Sequence, residues 1–348
     1  MKSEIVIIGG GIIGLYCATL LAQTAHSVTV IDQSDIGRES SWAAGGILSP
    51  LLPWDYGEET HELLDRSSTM YALLASQLNE STGIDIEFWQ CGLLVLQNQK
   101  NMSAESWCSQ NNVPFSTDCP DNFGADIFAR DKSFLYLPEV AQVRCTKLVQ
   151  AMHADLRNRG VKFLPHTPVE KLEIKGGQLI GAHTPKGLIY TDHLVWATGA
   201  WAGLLKSDNY LFRPPEITPV RGQIIAYDAK QIDLQTILFD QGHYLIPRKD
   251  GIILAGSTLE HVGFDRSITD SALELLAERS ESLLPELAQC KIISQWAGLR
   301  PYSKSERPVI GPHPEINGLY LNCGHYRYGV AMAPHSAEMI FKTITNAH

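Results

Sequence analysis

Residues 4–14 read EIVIIGGGIIG, and they restrict the fold more than any other stretch of this chain. An apolar run leads into Gly9, Gly11 and Gly14, a helical pattern from Leu15 to Gln23 follows, and a second apolar run, SVTVID, ends at Asp32. Strand, glycine turn, helix and strand, with an acid about twenty residues past the turn, is the setting in which G-x-G-x-x-G binds a dinucleotide. Gly9 permits the tight turn. Gly11 removes a Cβ where backbone N–H groups, those of Ile12 and Ile13 among them, approach a pyrophosphate, and Gly14 lets the helix pack on the strand. The helix N-terminus adds partial positive charge. Asp32, with Gln33 beside it, can accept hydrogen bonds from an adenosine ribose. The motif by itself does not choose FAD over NAD.

The 348 residues suffice for two domains or one elaborated α/β domain. A net charge of −10 without a Lys/Arg cluster argues against a nucleic-acid surface, so an anionic ligand must be held by locally placed arginines. The seven cysteines form no Cys-x-x-Cys pair, which suits free thiols in a reducing compartment. The twelve histidines show no ligand spacing, and no metal is expected. The apolar run Ile5–Ala22 has Glu4 where a signal peptide is basic and glycines in its middle, so no membrane segment is expected and the chain reads as cytoplasmic.

Further along, helices are expected over Thr60–Glu80, Thr146–Arg159 and Ser271–Leu284, with a closing helix from Pro334. Strand-like runs occur at 92–97, in VKFLP and KLEI, in HLVWATGAW, between 219 and 256, and in GLYLNCG, while 98–135 reads as polar and irregular. Nucleotide-domain elements thus recur at the start, middle and end. This implies two discontinuous domains: 1–85, 144–210 and 297–348 for the nucleotide, and 86–143 with 211–296 for a substrate.

RESSWAAGGI offers the Ser40 and Ser41 hydroxyls and then side-chain-poor backbone at Gly45 and Gly46, ahead of Ile47. Hydroxyls can bond phosphate or ribityl oxygens, and bare backbone can lie against a flat ring. In WAGLRP the apolar neighbours of Arg300 make a solvated position unnatural, and a buried arginine needs an anion such as a substrate carboxylate. GHYLIPR holds Tyr244, and Arg248 beside it reads as structural or exposed.

IVIIGGGIIG, GRESSWAAGGILSP, ATGAW, GHYLIPRKDG, AGSTLEH, WAGLRP and GHYRYG stand in an order and spacing that resembles the FAD-dependent amine oxidases of the D-amino acid oxidase type, the glycine oxidases most of all. The resemblance spans nearly the whole chain. It implies a mixed α/β fold, with a glutathione-reductase-like Rossmann FAD-binding domain and an antiparallel-sheet substrate domain. It implies that Gly45, Gly46 and Ile47 run near the isoalloxazine, that Val169 holds adenine through its backbone, and that Thr198 and Gly199 support the nucleotide. It places Gly324, His325, Tyr326, Arg327, Tyr328, Gly329 and Val330 at the flavin, with backbone amides near a helix head. Arg300 and Tyr244 would bind the substrate carboxylate, Arg327 would project toward substrate or flavin, and Leu259 would help wall the pocket. Glycine oxidases commonly have asparagine where this chain has Tyr328.

Residues 297–315, where sarcosine oxidases tether FAD, contain no cysteine, so non-covalent FAD is expected. The implied reaction takes glycine or another small amino acid, such as sarcosine or D-alanine, with oxygen, and gives imine or glyoxylate, ammonia and hydrogen peroxide. The implied use of the imine is thiamine thiazole synthesis, with thiazole synthase as a candidate partner, and the implied assembly is a homo-oligomer. Three alternatives stay open: a D-amino acid dehydrogenase passing electrons to a quinone, an NAD(P)-dependent reductase, and an FAD-binding protein without oxidase activity.

Overall fold

A computed structural model of the protein describes residues 1–55, 57–64, 67–97, 102–117 and 133–346. Its first organising element is a six-stranded sheet in the order Val309–Pro312, Leu319–Cys323, His193–Trp196, Ile5–Ile8, Val28–Ile31, Lys162–Leu164. Pairing is parallel throughout except at Val309–Pro312, which returns antiparallel along the edge. Ile5–Ile8 and Val28–Ile31 are buried along their whole length, because both faces of the sheet are covered. Ile5 and Ile7 point to the helices Ile12–Leu21, Cys145–Asn158 and Gly329–Thr345. Val6 and Ile8 point to a three-stranded antiparallel sheet (Lys171–Lys175, Gln178–Thr184, Gly187–Tyr190) through Leu172, Leu179 and Ile189.

A second, seven-stranded sheet runs Lys291–Ser303, Ile217–Asp228, Ile252–Gly256, His243–Pro247, Ile237–Asp240, Leu93–Gln97, Ser133–Leu137. It is antiparallel apart from the parallel pair Ile237–Asp240 and Leu93–Gln97. Its two faces follow the period of a strand. Leu245, Ile253 and Ala255 face the helix Asp270–Leu283, while Ile224, Tyr244, Ile246 and Leu254 face the other way. The strand Lys291–Ser303 continues through positions 296 and 297, where the sequence suggested a change of domain.

Three local expectations are corrected. The single helix over 60–80 is two, Glu58–Leu64 and Ser67–Thr82. The irregular stretch after 98 contains the helix Met102–Gln110 and the strand Ser133–Leu137, while residues 118–132, Cys119 among them, lie outside the described residues. The closing helix starts at Gly329, so Pro334 lies inside it. A proline there leaves the carbonyl four residues earlier, that of Val330, without its helical donor. The Tyr71 hydroxyl donates to that carbonyl at 2.7 Å instead. The free cysteines found among the described residues are Cys17, Cys91, Cys108, Cys145, Cys290 and Cys323. No helix among the described residues is long and apolar enough to cross a membrane.

Candidate active site

One cleft runs from the glycine turn after Ile8 to the face of the seven-stranded sheet that carries Ile224 and Tyr244. At the glycine-turn end the carboxylate of Asp32 accepts from the Gly10 N–H at 2.7 Å and from the Ser34 N–H at 2.8 Å. Burial raises the carboxyl of Asp32, and these hydrogen bonds oppose the shift. Gly9 has φ +105°, and a Cβ there would overlap the Ala197 carbonyl, just past the strand His193–Trp196. Gly14 does not line the cleft; it sits against the Gly9 carbonyl, the packing role expected of the third glycine. Gly11, Ile12, Ile13, Gln33, Val169, Thr198 and Gly199 all line the cleft.

Ser40 and Ser41 line it too, but each is already engaged. Ser40 donates to the Leu299 carbonyl, so only its lone pairs remain for a ligand. Ser41 accepts from the Ile12 N–H at 2.8 Å and keeps a proton to donate. Ser40–Ala43 is thereby fastened to the strand carrying Arg300, and the Trp296 indole adds a bond to the Ala43 carbonyl at 3.1 Å.

Gly45, Gly46 and Ile47 cross the middle of the cleft. Gly46 has φ +79° and no room for a Cβ beside the Val143 carbonyl, so both its conformation and its space require glycine. Arg248, which the sequence left as structural or exposed, is 7% exposed and supports this turn. Its guanidinium donates to the Gly45 carbonyl at 2.8 Å, the Gln142 amide oxygen at 2.5 Å and the Val143 carbonyl at 3.0 Å. Sequence reasoning missed that role, since IPRKDG carries no signal of burial.

At the far end the register of the second sheet assembles a polar cluster. Arg300 pairs with Val220, so its side chain reaches diagonally over Gly222, where a Cβ would overlap the guanidinium. Tyr244 pairs with Gly256, and a Cβ there would stand 2.9 Å from the tyrosine hydroxyl. The half-buried Arg300 guanidinium donates to the Thr258 carbonyl at 3.1 Å, to the Arg221 carbonyl at 3.4 Å and to the Ser257 hydroxyl at 2.6 Å. Burial lowers its affinity for a proton, the neighbouring Tyr244 opposes that shift, and the nearby charge of Arg327 adds to it. Among the described residues no carboxylate is paired with Arg300, whereas the adjacent Arg221 is paired with Glu260 and Asp265 at 2.6 Å each. A glycine inside a strand pattern signals close approach of another group, so Gly222 and Gly256 were detectable in principle.

The GHYRYG segment closes the cleft. His325, Tyr326, Arg327, Tyr328, Gly329 and Val330 line it; Gly324 does not, and faces Ile217, Ser303 and Pro308. Arg327 is exposed, with its guanidinium 5.3 Å from the Tyr326 ring centre. Tyr328 packs with Leu63 and Met332. Leu259 is corrected: it is 44% exposed and does not line the cleft. Burial pushes the His325 imidazole down to about 3, so it is neutral at pH 7.

Two buried polar atoms in the cleft wall, His325 Nε2 and Asn322 Oδ1, have no partner among the described residues. The bare glycine turn, the Ser41 proton and the first-turn amides of Gly329–Thr345 fit a dinucleotide such as FAD. The described residues hold no cluster of three or more metal-ligating side chains.

Comparison with known proteins agrees with this geometry. The family model described as FAD dependent oxidoreductase (DAO) matches residues 4–343. The glycine oxidase of Pseudomonas putida is 38% identical, over 100% of this chain and 96% of that protein. The bifunctional protein ThiO/ThiG of Trichormus variabilis is 32% identical, over 98% of this chain and 52% of that protein. The crystal structure of glycine oxidase from Bacillus cereus superposes with a TM-score of 0.90 at 27% identity, covering 100% of this chain and 96% of that one.

Proposed function

Because the chain belongs to the DAO family of FAD-dependent oxidoreductases and is a homologue of glycine oxidases, we propose that it oxidatively deaminates glycine and other small amino acids, sarcosine and D-alanine among them. The observation that carries this reading is the Arg300 guanidinium, held by neutral acceptors, facing the cleft and lacking a carboxylate partner among the described residues. An α-amino acid supplies the missing carboxylate, and the guanidinium can bind both of its oxygens.

FAD, when bound, supplies the two-electron acceptor for oxidation of the Cα–N bond. The Gly9–Gly11 turn, the Ile13 amide, Ser41 and Asp32 would hold its nucleotide end, and Gly45–Ile47 with the Gly329 and Val330 amides would line the rest. Arg300 binds the substrate carboxylate, with the Tyr244 hydroxyl beside it. This fixes the amino acid at one end and leaves the Cα–H to be aimed by the cleft wall. Arg327 at the mouth adds a second positive charge for an anionic group in a chain of net charge −10. His325, pushed down to about 3 by burial, is too weak a base to take a proton from an ammonium group.

We take oxygen as the acceptor, FAD as non-covalently bound, and the two sheets as the cores of an FAD domain and a substrate domain. Alignment with about half of a bifunctional ThiO/ThiG protein supports a role for the imine in thiamine thiazole synthesis, with thiazole synthase as partner. The test is anaerobic flavin bleaching with glycine, sarcosine and D-alanine, followed by peroxide assay in air. Bleaching with peroxide release is the expected result. Bleaching without peroxide would replace oxygen by another acceptor such as a quinone, and a flavin that stays oxidised with every amino acid would end the reading.

A further inference from the structure

Ser257 follows the strand Ile252–Gly256 and lies in the cleft wall. Its hydroxyl oxygen accepts from Arg300 Nη2 at 2.6 Å. A hydroxyl has one proton and two acceptor lone pairs, so this bond uses a lone pair and leaves the proton. Among the described residues that proton has no acceptor. The neighbouring side chains Thr258 and Glu260 are engaged with other partners. The Thr258 hydroxyl donates to Glu260 Oε1 at 2.5 Å and accepts from the Gln223 N–H at 2.9 Å, and Glu260 also holds Arg221.

The Arg300 guanidinium is similarly placed. Three of its contacts go to the Arg221 carbonyl, the Thr258 carbonyl and Ser257. The Tyr244 hydroxyl also hydrogen-bonds the fork, so one of its five N–H donors remains uncommitted. The serine proton and the rest of the arginine fork therefore share one part of the cleft. Accepting a bond from a cation also makes the hydroxyl a stronger donor.

We propose that Ser257 is a substrate-binding residue that donates its hydroxyl proton to the same carboxylate that Arg300 binds. This deepens the reading given above and rests on it. The carboxylate site then has a charged fork and a neutral hydroxyl, and the two oxygens of a carboxylate can engage both.

The experiment is calorimetric titration of the FAD-loaded protein with acetate, which carries the carboxylate but no amine. Ser257→Ala should weaken acetate roughly tenfold to a hundredfold, the range for one hydrogen bond to a charged group. Ser257→Thr should restore most of that loss, and the KM for glycine should follow while kcat holds. The Ala effect should persist in an Arg300→Lys background, where the cation remains but the fork does not. If it vanishes there, Ser257 acts only through Arg300 and the proposal is overturned. It is equally overturned if Ser257→Ala binds acetate like the parent while Arg300→Ala does not, an outcome that leaves the carboxylate role of Arg300 standing. If Arg300→Ala also binds acetate like the parent, the underlying reading fails with it.

Discussion

The Tyr71 hydroxyl bonds the carbonyl of Val330 at 2.7 Å across 259 positions of sequence. This is the carbonyl that Pro334 deprives of its helical donor, and it lies in the first turn of the helix whose N-terminus faces the cleft. Tyr71 is fully buried, so no water substitutes for it. Tyr71→Phe leaves a buried acceptor unsatisfied and should lower stability by about 1–3 kcal/mol, read from the urea midpoint. An unchanged midpoint would show that the carbonyl finds another donor.

Gly222 makes room for Arg300. Gly222→Ala should displace the guanidinium by about an ångström and reduce kcat/KM for glycine on the order of a hundredfold, with FAD content retained. Gly57, which has open space around it and no left-handed backbone, provides the control: Gly57→Ala should leave kcat/KM unchanged. Equal kinetics for both variants would remove Arg300 from the site.

Arg248 joins Gly45, Gln142 and Val143 beneath the turn that crosses the cleft. Arg248→Met strands these acceptors in the interior and should cost about 2–4 kcal/mol of stability. Lysine should not rescue it, because one ammonium cannot match the planar fork. The same variants should bind FAD more weakly, measured by flavin release on dilution. Full stability in Arg248→Lys would show that only charge matters there.

His243 and His325 set an acid limit. Both are buried, and burial pushes their imidazoles down to about 4 and about 3, with the charge of Arg279 adding to the shift at His243. In the unfolded chain both histidines take up protons as pH falls through about 6.5, while the folded chain resists until near its own lower values. Between those limits the unfolded state binds more protons, so stability falls as pH falls. The urea midpoint should drop from pH 7.5 to pH 5, and His243→Gln should flatten that slope. A midpoint that holds steady over this window would mean that the histidines protonate while folded.

The glycine-turn half of the cleft was legible in the sequence because it is local. The strand, the glycine turn, the helix and Asp32 lie within one short stretch, and each residue type there answers to backbone conformation or to a single ligand group. Of the residues the resemblance named, Arg300 and Tyr244 line the cleft, whereas Leu259 is left exposed by the fold and Gly324 faces Ile217 and Ser303. Where the closing helix begins was misread because a proline looks like a start signal, and only Tyr71, far away in sequence, explains why it is tolerated inside.

The substrate end depended on tertiary structure. Arg300 meets Gly222, Ser257 and Thr258 because three strands pair in one register, and a slip of one residue would turn that arginine to the opposite face. Arg248 is a cleft support only because Gly45 and Gln142 are brought to it from elsewhere in the chain. Sequence thus determined which chemical groups were available and where the glycine turn would stand. Strand register and burial decided which arginine was neutralised by carboxylates and which was left to face the ligand.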